Sequence, residues 1–98
     1  GWPDYWLSWQ WDAKRRELIL TVRQEQTGGL FDMNVDVLIL SQKGREKRKL
    51  HLFKAEQTFR ISLSSPPIEV RLDPEGWLLK SVRVKGQRAG TRVVESPP

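Results

Sequence analysis

The chain has no cysteine and a single histidine, His51, in 98 residues. The lack of cysteine removes disulfides, thiolate zinc sites, CxxC redox pairs and Cys/His nucleophilic pairs. A lone histidine excludes a two-histidine zinc site and makes any Ser/His/Asp triad depend on His51 alone. Glycine-rich phosphate loops, GxSxG elbows and HExxH are also missing. No apolar run approaches the ~20 residues of a membrane span. The start, Gly1-Trp2-Pro3-Asp4, lacks the basic-then-apolar order of a signal peptide. The compartment is not legible, because cysteine-free chains suit the cytosol and the periplasm alike.

What is present suits one small domain. Hydrophobic residues make up 38% and charged residues 30%, enough for a single thin core. The formal charge is +5. Between residues 80 and 98 stand Lys80, Arg83, Lys85, Arg88 and Arg92 against Glu95, so four of the five net charges lie there. The body is nearly neutral, which argues against reading the charge as a nucleic-acid footprint.

Apolar residues alternate with period two along most of the chain, the pattern of half-buried strands. Leu7, Trp9 and Trp11 share one face, with Trp6, Ser8 and Gln10 on the other. After a turn at Asp12-Ala13-Lys14-Arg15, Leu18, Leu20 and Val22 continue the pattern as a hairpin partner. Phe31, Met33, Val35, Val37 and Ile39 form the longest alternating face. Leu38 and Leu40 make its other side apolar too, which points to burial on both sides or to an interface. Ser41-Gln42-Lys43-Gly44 turns the chain into a run with Leu50 and Leu52. Phe59, Ile61 and Leu63 follow, then Ile68, Val70 and Leu72. Ser64-Ser65-Pro66-Pro67 excludes regular pairing, and Asp73-Pro74-Glu75-Gly76 has turn chemistry. A last strand begins at Trp77 and extends toward Val84. The expected fold is an all-β antiparallel sandwich, immunoglobulin-like, of six to seven strands over residues 1–84. Residues 85–98, rich in Gly, Lys, Arg, Ser and Pro, form a basic flexible tail.

The candidates for chemistry each have a plainer reading. His51 shares its face with Lys47, Lys49 and Phe53, which is a surface position. Asp32, Asn34 and Asp36 line one strand face but lack the loop spacing of a calcium site. Lys43, Arg45, Lys47, Arg48 and Lys49 straddle a hairpin and read as a solvated tip, or as edge-strand protection. Five tryptophans are many for this length. They read either as an aromatic platform for sugars or as core plus an interface to a neighbouring domain. Trp9 and Trp11 suit the core. Trp2, Trp6, Leu38 and Leu40 lie outside the core face and are the candidate inter-domain contacts, and Trp6, Leu38 and Leu40 are expected to contribute to one exposed apolar patch.

Four segments together resemble a known family. They are Leu7-Ser8-Trp9-Gln10-Trp11-Asp12, Leu18-Ile19-Leu20-Thr21-Val22-Arg23-Gln24-Glu25-Gln26, Glu56-Gln57-Thr58-Phe59 and Leu72-Asp73-Pro74-Glu75-Gly76-Trp77-Leu78-Leu79. Their order and spacing are similar to the β-sandwich domain that follows the catalytic domain in M1-type zinc aminopeptidases. The resemblance covers about residues 5–80. It implies a fragment of a larger metallopeptidase, with zinc and the catalytic residues in the preceding domain of the parent. No catalytic, metal or cofactor residue carries over to this chain. The partners implied are neighbouring domains of the parent chain, not nucleic acid or membrane. The expected role is therefore structural, with no enzymatic chemistry of the chain's own. The alternative is an independent carbohydrate- or peptide-binding module that uses exposed tryptophans.

Overall fold

The computed structural model describes residues 4–25, 32–74, 81–84 and 93–94. Their regular secondary structure is β-strand, joined by turns. β1 (Asp4–Asp12) and β2 (Glu17–Glu25) pair antiparallel from Asp4 opposite Glu25 to Asp12 opposite Glu17. The turn between them follows from one side chain. Asp12 Oδ1 accepts the Lys14 and Arg15 amides at 3.0 and 3.1 Å, and Arg16 closes the loop with φ 55°. Asparate-type capping of this kind satisfies amides that the turn removes from the ladder. β3 (Met33–Ser41) and β4 (Gly44–Leu52) form a second hairpin across Gln42-Lys43. Gly44 follows this turn at φ 131°, a backbone that side-chain-bearing residues rarely adopt. β5 (Glu56–Ser62) pairs with the free edge of β2, and β6 (Pro67–Leu72) with the free edge of β3.

Two sheets result, with strand orders β5-β2-β1-β7 and β4-β3-β6. The chain changes sheet after β2, β4, β5 and β6. The inward residues of both sheets meet in one core. It contains Tyr5, Leu7, Trp9 and Trp11 from β1, Leu18, Leu20 and Val22 from β2, and Val35, Val37 and Ile39 from β3. Leu50, Leu52, Ile61, Leu63, Val70 and Leu72 complete it. The expected all-β sandwich is the observed architecture, and the two-residue alternation is what builds it.

Three details depart from expectation. β7 (Ser81–Val84) and β8 (Val93–Val94) both join β1 in parallel, whereas an antiparallel sandwich was expected throughout. The reason is topological: the chain reaches β7 by crossing between sheets, not by a hairpin, so it can enter the edge of β1 in the same direction. Pro67 opens β6 opposite Ser41, although the Pro66-Pro67 pair was expected to lie outside any ladder. First strand positions tolerate proline because they need donate no ladder bond. A register shift between Leu40 and Ser41 then turns Ile68 out of the alternation. Ile68 is 39% exposed and Pro67 is buried, the reverse of the sequence pattern. Glu75 and Gly76 of the expected turn, residues 77–80 of the expected last strand, and all of the basic tail except Val93 and Val94 lie outside the described residues.

Leu20 and Thr21 are neighbours that face opposite ways. Leu20 is fully buried, and Thr21 meets Thr58 on the outside at 3.3 Å. Leu20→Ala is expected to cost about 2–5 kcal/mol, and Thr21→Ala no more than about 1 kcal/mol. Urea denaturation of both variants measures the difference; equal losses would contradict the assigned alternation.

Candidate functional site

The outer face of the β5-β2-β1-β7 sheet carries Trp6, Ser8 and Gln10 from β1 beside Arg23, Thr21 and Ile19 from β2. Trp6 is half-buried, and the Arg23 guanidinium lies over its ring, 5.6 Å from the centroid. The β7 position next to Trp6 in register is Arg83. The cation–π contact with Arg23 shields this outward indole. Trp9 and Trp11 are core residues. The three described tryptophans therefore present no open aromatic platform. Trp2 and Trp77 lie outside the described residues.

The outer face of the other sheet carries Leu38 and Leu40. Leu38 is only 6% exposed, yet it is not part of the shared core. It stands between Lys47 of β4 and Arg71 of β6 in register. Leu40, half-buried, stands between Arg45 and Glu69. Long basic side chains cover apolar neighbours with their stems and keep their charges in water. Trp6 thus lies on one outer face and Leu38 and Leu40 on the opposite one. The single patch expected of these residues is not formed, because odd and even positions were assigned to faces strand by strand without knowing which strands share a sheet.

β4 has one neighbour among the described residues, β3, and is an edge strand. Its outward residues Arg45, Lys47, Lys49 and His51 are exposed, as the alternation implied. Charged outward side chains discourage pairing with a second chain. Asp36 of β3 and Asp32, just before it, each face a side chain of β4. Asp36 meets Lys49 at 3.2 Å, and Asp32 meets His51 Nε2 at 2.6 Å. The His51 ring also packs against Phe53, 4.8 Å between centroids. Among the described residues no hydroxyl is bonded to the other ring nitrogen.

Two glutamines that sequence reasoning treated only as motif letters have defined work at the far end of the sandwich. Gln57 Oε1 accepts the Phe53 and Lys54 amides at 2.7 and 3.1 Å, and its Nε2 donates to the His51 carbonyl at 3.0 Å. The buried Gln24 donates from its backbone to the Ala55 carbonyl at 2.8 Å, and from Nε2 to the Lys54 carbonyl at 3.3 Å. Both fasten the β4–β5 connection, whose backbone groups have no ladder partner. Two of the four segments that carry the family resemblance thus have a local structural cause. No family model matches the chain, and no curated protein matches it.

One buried titratable group remains. Tyr5 is fully buried, and its hydroxyl has no hydrogen-bond partner among the described residues. Burial pushes the phenol above its ordinary value of 10.0. The folded state then holds this proton more tightly than the unfolded chain, so stability is intact below about pH 10 and falls as pH rises beyond it. An unpaired buried hydroxyl costs free energy that a phenyl ring does not. Tyr5→Phe is expected to raise stability by roughly 1 kcal/mol at neutral pH, and by a larger margin above pH 10. Denaturation series at both pH values test this; a destabilised variant would mean that the hydroxyl is satisfied.

Proposed function

We propose that the chain is a non-catalytic contact module, a β-sandwich that positions neighbouring parts of a larger protein. The observation that carries this reading is apolar surface outside the shared core on both outer faces. Trp6 and Ile19 lie half-buried on one face and Leu40 on the other, where its neighbour Leu38 is buried. A domain with two such faces is suited to stand between two neighbours, and apolar side chains ringed by charge are typical of contact surfaces. The buried polar side chains point the same way. Asp12 and Gln24 bond turn and connection backbone, which is structural work rather than chemistry.

Within this reading, the parent is an M1-like zinc aminopeptidase, and the chain is the sandwich that follows its catalytic domain. That part rests on the order of the four segments named above. Zinc and the catalytic residues would belong to the parent's preceding domain.

Two measurements test the proposal. The purified chain, with and without added zinc, should release no product from aminoacyl-anilide substrates; turnover would defeat the non-catalytic reading. The open reading frame around this chain should encode HExxH upstream; its absence would remove the aminopeptidase assignment. The contact role has its own test. Leu40→Ser should leave the melting temperature of the isolated chain nearly unchanged but lower that of the parent protein. An equal, small effect in both would show that Leu40 contacts no neighbour.

A further inference from the structure

Charges in this sandwich are mostly answered locally. Arg48 pairs with Glu46 at 2.7 Å, Lys49 with Asp36 at 3.2 Å, Arg60 with Glu17 at 3.3 Å, and Arg71 with Glu69. Arg23 lies over Trp6, and Lys54 over Phe53. Lys14, Arg15, Lys43 and Arg45 stand apart, because their charged groups meet neither a carboxylate nor a ring among the described residues. All four are exposed. They come from the β1–β2 turn and from the β3–β4 turn with the start of β4, two segments well separated in sequence.

The fold brings these turns to one end of the sandwich. Glu17 at the start of β2 pairs with Ser62 at the end of β5, and Pro67 at the start of β6 pairs with Ser41 at the end of β3. The β5–β6 connection therefore lies between the two turns. It is fastened to the first: Leu63 N donates to the Arg16 carbonyl at 3.1 Å, and the Arg16 guanidinium donates to the Ser64 carbonyl. Toward the second turn it leaves a cavity of about 180 Å³. Ser64 and Ser65 line one side of it, and Ser41, Lys43, Gly44 and Arg45 the other. The volume far exceeds the about 10–15 Å³ that a single water requires.

The lining has the chemistry of an anion site. Ser41 Oγ accepts the Lys43 amide at 3.2 Å, which leaves its own proton free to donate. Gly44 has no heavy atom within 4 Å of the place a Cβ would take, so a ligand can approach the backbone there. Glu46 also lines the cavity, but its carboxylate is engaged by Arg48. We propose that this cavity binds a phosphate-class oxyanion, held by Lys43 and Arg45 with hydroxyl donors from Ser41, Ser64 and Ser65. A guanidinium fork and an ammonium beside hydroxyls match phosphate oxygens in geometry and charge. Lys14 and Arg15, on the adjoining turn, add positive potential that draws anions to this end.

The probe is inorganic phosphate, titrated into the ¹⁵N-labelled chain at constant ionic strength with chloride as the replaced anion. The amide signals of Gly44, Arg45, Ser64 and Ser65 should shift together and saturate in the millimolar range. Lys43→Ala/Arg45→Ala should weaken that response at least roughly tenfold, the loss expected for a charge-assisted contact. Lys54→Ala, at the opposite end, should leave it unchanged. Both lysine positions and Arg45 are exposed, and a dispersed spectrum of each variant confirms folding. Non-saturating shifts spread over all basic residues, or an unaltered response in the double variant, would overturn the site. An equal response to acetate would overturn its phosphate class.

Discussion

Everything in this molecule depends on the shared core between two sheets. Six strands each turn alternate side chains inward, and the core between them is filled by aliphatic and aromatic residues from Tyr5 to Leu72. A chain of this size has little apolar surface to spare, so each inward position is committed to packing. The polar side chains that are buried, Asp12, Gln24 and Asp73, sit at strand ends. There they serve turns and connections, as Asp12 does for the Lys14 and Arg15 amides. Tyr5 is the exception, with a hydroxyl carried into the core by a ring that packs well.

That commitment pushes polar function outward. The surface of the sandwich carries the charges, and among the described residues they pair either across neighbouring strands, as Lys49 with Asp36 and Arg60 with Glu17, or along one strand, as Arg48 with Glu46 and Arg71 with Glu69. Surface pairs of this kind contribute little stability, but they neutralise the faces and leave apolar islands such as Leu38 covered rather than open. Among the described residues, Lys14, Arg15, Lys43 and Arg45, basic groups that meet neither a carboxylate nor a ring, lie at one end of the sandwich. Contact surface on the faces and positive potential at a pole are separate properties of one architecture, and either can be lost without the other.

Much of the fold was legible in the sequence, and the reason is physical. A strand with one buried face writes its period directly into the chain, so β1, β2, β3 and β5 can be read from Trp9, Leu20, Val37 and Ile61 alone. The turns at Asp12 and Gly44 were equally plain, because the backbone there demands particular residues. Ile68 misled because a bulge is a property of a strand pair, and no single segment records it. The parallel entry of β7 was hidden for the same reason. The cavity was the least legible feature. Its basic walls were read as a solvated hairpin tip, since nothing in the sequence tells that Ser64 and Ser65 lie opposite Lys43. Trp6 and Leu38 illustrate the same limit: alternation says which residues leave the core face, but only sheet order says which of them share a side.

The claim that one core unites both sheets is tested most directly by native-state hydrogen exchange across a denaturant series. If the core is shared, the most protected amides of β2 in one sheet and of β3 in the other open with the same free energy and the same denaturant dependence, as parts of one cooperative unit. Two distinct opening energies, with one sheet exchanging while the other stays protected, would contradict the account.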